Sequence, residues 1–142
     1  MKNLSFSLAL IFLVCACNSS DKKTDKNSLA VNYVNQNFSE GKEIYNDFCA
    51  QCHMPNGKGM PKVIPPLAKS DFLIKNRLES IKAIKYGLSG EITVNGELYN
   101  SVMAAQGLSN KEIADVMNYI SNNWGNINTV LATEKEVQNI ER

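Results

Sequence analysis

Cys49-Ala50-Gln51-Cys52-His53 constrains this chain more than any other stretch. Two thiols three positions apart, followed at once by an imidazole, form the C-x-x-C-H pattern of c-type haem attachment. The spacing has a chemical reason. Each thiol adds across one vinyl group of the same porphyrin edge, so the two sulfurs must lie about one helical turn apart. The next residue then falls under the iron, where an imidazole nitrogen can bind axially. A chain built this way needs a helical turn at Cys49–His53 and a flat apolar slot beside it.

Other uses of these residues fare worse. A structural zinc site takes four Cys or His ligands, but His53 is the single histidine and there is no second CxxC. A thioredoxin-like redox pair follows a strand, whereas residues 38–48 read as a short helix. A disulfide across so tight a loop would be strained and would leave His53 without a purpose.

The chain has 142 residues, of which 44% are hydrophobic and 20% charged, an ordinary balance for one folded domain with appendages. Its four cysteines do not make a disulfide framework, because Cys15 and Cys17 lie in a targeting segment. A basic Lys2 and an apolar run from Leu4 to Val14 have the form of an export signal. That run is short of the roughly 20 residues of a membrane span. Val14-Cys15-Ala16-Cys17 resembles a bacterial lipobox, so residues 1–16 are expected to be removed and Cys17 to be lipidated. Cys15 is the weaker candidate, because bulky Val14 would sit at the cleavage position; an uncleaved anchor or an ordinary signal peptide are the alternatives. Either way the domain is expected outside the cytoplasm; with Cys17 lipidated it would be a membrane-anchored lipoprotein on the periplasmic side. Residues 17–37 are polar and rich in lysine and asparagine and read as a flexible tether. Such a tether spans about 25 Å on average. The domain is expected to occupy residues 38–142.

Within it, Ser39 is expected to cap a first helix carrying Glu40 and Glu43 in its first turn, with Ile44, Tyr45 and Phe48 on one side. Gly41 shares the Tyr45 face and weakens a helix by about 1 kcal/mol against Ala. It reads as the contact point for another helix. Residues 54–61 and 65–67 form a loop rich in glycine and proline, after which Asp71 can cap a short turn. Residues 77–86 place Leu78, Ile81 and Ile84 at helical spacing, with Gly87 as the stop. Ile92-Thr93-Val94, Asn95-Gly96 and Glu97-Leu98-Tyr99 spell a small hairpin. Ser109 and Glu112 form a capping box opening the clearest helix, whose stripe is Ile113, Val116, Met117, Ile120 and Trp124, ended by Gly125. Thr133 and Glu136 repeat the box more weakly ahead of Val137 and Ile140.

If His53 holds one axial position, the other needs a soft ligand, and a methionine sulfur suits it. Met54 adjoins His53 and cannot reach the far face. Met117 lies in an apolar helical stripe and reads as core. Met60 is close in sequence but stays open. Met103, in an irregular segment between the hairpin and the last long helix, is the best placed, with a buried loop methionine as the bland alternative.

Together, Gly41-x-x-x-Tyr45, Cys49-Ala50-Gln51-Cys52-His53, Pro65-Pro66-Leu67-Ala68, Met103 and Val116-x-x-Tyr119-Ile120 resemble a class I cytochrome c, over about Phe38 to Arg142. The resemblance implies an all-α class I fold, three to five helices wrapped around one covalently bound haem c, with a small hairpin. It implies Cys49 and Cys52 as haem thioethers and His53 and Met103 as axial ligands. A Pro65 carbonyl would accept the second ring N–H of His53, and the first and last helices would cross closely, Gly41 and Tyr45 against Val116, Tyr119 and Ile120. Most such domains carry proline after the ligand methionine, where this chain has Ala104.

The implied function is single-electron transfer between redox proteins (an oxidase, reductase or dehydrogenase) and not catalysis, since iron closed on both faces has no vacant position. The alternative is a haem sensor or peroxidase-like enzyme with a labile sixth ligand. No nucleic-acid partner is expected, and membrane contact is expected only through the lipid anchor. Residues 58–85 hold seven basic side chains against Asp71 and Glu79, while residues 86–142 hold seven acidic against three basic. The basic flank would steer an acidic partner; an uneven solvated surface is the alternative.

Overall fold

The computed structural model of the protein describes residues 38–142. The stretches expected to be an export signal and a tether, and Cys17 with them, lie outside the described residues. Five helices and one hairpin follow in order. The first, α1, is helical from residue 38 to residue 53, with a π-helical stretch at Tyr45–Cys49 and a last turn at Ala50–His53. Then come α2 (Asp71–Lys75), α3 (Arg77–Tyr86), β1 (Ile92–Val94), β2 (Glu97–Tyr99), α4 (Asn110–Ile120) and α5 (Glu134–Gln138). This is the all-α arrangement with a small hairpin that the sequence leads one to expect.

The centre of the domain is α4, whose residues Ile113 to Ile120 are all buried. Its Ser109 hydroxyl accepts the Glu112 N–H while the Glu112 carboxylate accepts the Ser109 N–H, so both ends of the capping box close. The helix stops at Ile120, four residues before the expected end. Trp124 (φ 51°) and Gly125 (φ 89°) belong to the turn that follows.

Helix α1 crosses α4 at Gly41. A β-carbon there would lie 2.2 Å from Asp115 O and 2.8 Å from Tyr119 Cβ, so only glycine permits this approach. One turn on, the Tyr45 ring meets Tyr119 and Trp124 at centroid separations of 5.6 and 4.9 Å, and Trp124 meets Tyr119 at 5.5 Å. The ring geometries are tilted or edge-on, the arrangement that aromatic quadrupoles favour. Lys111 bridges Asp115 (2.8 Å) and Glu40 at the same crossing. Burial pushes the Asp115 carboxyl up, against the pull of Lys111.

Several local expectations change. Ser39 lies within α1 and does not cap it. The π-helical stretch widens the turn, keeping Tyr45 and Cys49 on the core side while Phe48 is turned outward, 48% exposed. Ser70, not Asp71, caps α2: its Oγ accepts the Leu73 N–H. The Asp71 carboxylate instead accepts the Asn95 N–H at 2.7 Å, tying α2 to the hairpin. In α3, Ser80, Ile81, Ala83 and Ile84 face inward and Leu78 faces solvent, because α3 packs along a wide face that takes in two small residues. The hairpin forms in the expected register, Ile92 opposite Tyr99, with Asn95 and Gly96 both at positive φ. The second capping box is half formed. Thr133 accepts the Glu136 N–H, but the Glu136 carboxylate turns to Arg77 in a two-pronged pair at 2.7 and 2.8 Å.

Residues beyond α4 are sewn to α3. Arg77 also donates to Val130 O, Lys85 donates to Val137 O and Ile140 O, and Tyr86 donates to Ile140 O. Val137 and Ile140 are buried beneath these bonds. Among the described residues no helix is long and apolar enough to cross a membrane.

Candidate functional site

The C-terminal end of α1 presents Cys49, Cys52 and His53. Cys49 is buried and Cys52 exposed, and neither is in a disulfide. Burial, with the neighbouring Cys52 thiol adding to it, pushes Cys49 up to about 11. Among the described residues no group of three or more His, Cys, Asp or Glu side chains stands where it could hold a metal ion.

His53 is buried, with Nδ1 3.0 Å from Pro65 O. A carbonyl can only accept, so the proton sits on Nδ1 and the lone pair on Nε2. Burial lowers the imidazole's proton affinity and the Pro65 bond offsets part of that, so the neutral, metal-binding form is favoured. The loop after His53 is folded back tightly. Met54 has φ 64°, and its carbonyl accepts both the Tyr45 hydroxyl at 2.6 Å and the Gly57 N–H. Gly59 donates to His53 O. A β-carbon on Gly59 would stand 2.3 Å from Ile64 O and 2.7 Å from Pro65 O, so this glycine lets the loop close against the wall that carries the histidine's partner.

Met103 is half-buried and forms a two-bond antiparallel bridge with Leu88: Leu88 N–H to Met103 O at 2.8 Å, Met103 N–H to Leu88 O at 2.9 Å. Gly87, which ends α3 at φ 84°, leaves no room for a β-carbon beside Met103 O, 2.7 Å away. The segment expected to be irregular is thus fastened to the end of α3.

These pieces meet around one space. Cys49, His53, Pro65, Leu67, Leu88, Ile92 and Met103 all line a narrow slit of about 70 Å³ whose walls are nearly all carbon. The polar residues on it are engaged, the Ser70 hydroxyl by the Leu73 N–H and the Ser80 hydroxyl by Asn76 O. An outer cavity of about 390 Å³ shares Cys49, His53, Pro65 and Met103 and adds Cys52 and Phe48. The larger space is of the size that cofactor sites usually have. Met117 is wholly buried in α4, and Met60, 39% exposed, lines neither space. Of the four methionines weighed, Met103 is the one brought to the histidine's slot.

Thiols, imidazole and apolar slot suit a covalently held porphyrin. Residues 38–124 match the cytochrome c family. The chain belongs to that family. Its cofactor is covalently bound haem c, and the function class of this cytochrome c domain is haem-based electron transfer. Over 97 residues it is 41% identical to cytochrome c-552 of Thermus thermophilus, covering 65% of this chain and 73% of that protein. A second cytochrome c-552 of the same organism is equally similar, with 65% of its length covered. Over 90 residues the domain is 34% identical to the cytochrome c subunit of a quinone alcohol dehydrogenase from Gluconobacter oxydans, of whose length the match spans 18%.

Two features of the cytochrome c site had no legible signal in the sequence. Leu88 is one residue of a bridge whose partner lies 15 positions away. Gly59 could be seen only as one glycine in a glycine-rich loop.

Proposed function

We propose that this cytochrome c domain is a single-electron carrier, not an enzyme, with haem c attached at Cys49 and Cys52 and its iron held between His53 Nε2 and the Met103 sulfur. The observation that carries the reading is that His53 and Met103, 50 residues apart, line the same apolar slit as Cys49. When bound, the haem supplies a reversible one-electron couple. The chain's residues decide how that couple behaves. Pro65 O fixes the imidazole's tautomer and orientation and increases its donor strength. The Leu88 bridge holds Met103 at the slot. The carbon-lined walls exclude water and disfavour added charge, which together with thioether ligation favours the reduced state and raises the potential.

The partners are proposed to be respiratory redox proteins (oxidase, reductase or dehydrogenase), met outside the cytoplasm. Support comes from the export-type segment 1–16 and from the similarity to a dehydrogenase's cytochrome subunit. A lipid on Cys17 and the tether 17–37 would hold the domain at the periplasmic face of a membrane. A Cys17→Ser protein that still partitions with membranes would remove the lipid anchor from this reading.

The central test is the absorption spectrum of the exported protein, oxidised and reduced, with and without carbon monoxide. The expected result is a Soret band retained after denaturation, a thioether-to-iron charge-transfer band lost in Met103→Ala, and no carbon monoxide binding to the reduced wild type at neutral pH. Ready carbon monoxide binding would instead select the haem-sensor or peroxidase-like alternative.

A further inference from the structure

We infer that Asn126 is a positioning residue for the histidine ligand: its buried amide sets the placement of the Pro65 carbonyl and so the electron donation of His53. The inference rests on the proposed ligation by His53. Asn126 lies just beyond the stretch that matches the family and is 3% exposed. Its Nδ2 donates to Leu67 O and to Ile120 O, each at 2.7 Å, and its Oδ1 accepts the Ser70 N–H at 3.1 Å. One side chain therefore joins the end of α4 to both sides of the turn leading into α2.

The reason this reaches His53 lies in two prolines. Pro65 and Pro66 have no N–H, so neither can be anchored by donating a backbone bond. Their position is inherited from the residues on either side. Upstream, Ile64 is bridged to Met60 in both directions, at 2.8 and 2.9 Å. Downstream, Leu67 N–H and Ala68 N–H both donate to Gly57 O, and Leu67 O is held by Asn126. Fixed proline φ angles make the segment between these anchors stiff, so displacement at Leu67 is transmitted to Pro65 O. Without Asn126, the carbonyls of Leu67 and Ile120 and the N–H of Ser70 lose their buried partner. The wall would then have to shift to reach other donors or water.

Asn118 provides a built-in control. It is as buried as Asn126 (2% exposed) and clasps Ala132 with two bonds, Nδ2 to Ala132 O at 3.0 Å and Ala132 N–H to Oδ1 at 2.6 Å. Its bonds fasten the segment after α4 and touch nothing on the Pro65 wall.

The test compares Asn126→Ala and Asn118→Ala holoproteins by reduction potential and by exchange of the His53 Nδ1 proton followed by NMR. Both variants should lose stability. Only Asn126→Ala should speed Nδ1 exchange at least tenfold and shift the ferrous-over-ferric preference up by three- to tenfold, the latter being about 59 mV for one electron. The sign follows because a weaker bond to Pro65 O leaves the imidazole a poorer donor to oxidised iron. An unchanged or lowered potential in Asn126→Ala, or an equal shift in Asn118→Ala, overturns the inference. Should Asn126→Ala fail to fold, wild-type exchange decides: the Ser70 N–H and His53 Nδ1 protons should share one opening free energy, and two distinct values overturn the coupling. A wild-type spectrum without histidine–iron ligation would remove the ligand assignment itself. An unshifted Asn126→Ala with intact ligation removes this inference alone.

Discussion

Replacing Gly41 with alanine tests the helix crossing on which the domain is built. An exposed glycine-to-alanine change inside a helix stabilises by about 1 kcal/mol, because alanine has the higher helix propensity. Here the added β-carbon would lie 2.2 Å from Asp115 O and 2.7 Å from the carbon of the same carbonyl. Ordinary contact begins near 3.4 Å, so α1 and α4 must part by about 1.2 Å. The obstacle is helix backbone, and no rotamer change can relieve it. A gap of that size forfeits about half of the dispersion energy between the facing side chains, here Tyr45 against Tyr119. Overpacking costs about 1–3 kcal/mol. A rigid obstacle puts this site at the upper end, so after the propensity gain a net loss of about 2 kcal/mol is expected. For a domain of this size that lowers the melting temperature by about 10 °C. Guanidinium titration of the holoprotein measures it, and amide exchange should show α1 and α4 losing protection together. A Gly41→Ala protein as stable as the wild type, or more so, would refute the close crossing.

Gly87→Ala should be costly in a different way: it forces a side chain into a glycine-only backbone region, at about 1–3 kcal/mol, and drives a β-carbon against Met103 O. The charge-transfer band assigned to Met103 should weaken while the Soret band persists. Gly59→Ala should push Pro65 O off the imidazole and speed His53 Nδ1 exchange with Met103 ligation intact, which separates the two walls of the slot spectroscopically. Arg77→Ala should cost about 2 kcal/mol at neutral pH, the order expected for charge-assisted hydrogen bonds. Arg77 holds the Glu136 carboxyl below the usual range, with burial opposing it. A depressed folded value means the stabilisation is complete above the ordinary glutamate value of about 4.3 and disappears as pH falls through the folded value. The stability gap between wild type and Arg77→Ala should therefore narrow from pH 7 to pH 3, and a constant gap would place the pair's effect elsewhere.

What the residues determine by themselves is whatever depends on neighbours in sequence. The C-x-x-C-H spacing names its chemistry, the Asn95-Gly96 pair its turn, and Ser109 with Glu112 its helix start, because each is closed by bonds over a few positions. Gly41 could be marked as a contact because a helical glycine beside Tyr45 has a local cost without a local benefit. The faces of the helices were less legible. Phe48 was turned outward by a π-helical stretch, and Leu78 gave way to Ser80 and Ala83, since a buried face is chosen by what packs on it. Asp71 looked like a cap, yet Ser70 holds that place while Asp71 bonds Asn95, 24 residues on. The slot itself is a product of tertiary structure alone. It needs Met103 bridged to Leu88, Pro65 held over His53, and Asn126 spanning 59 residues to Leu67, and no local rule registers a hydrogen bond whose two ends are brought together only when the whole core closes.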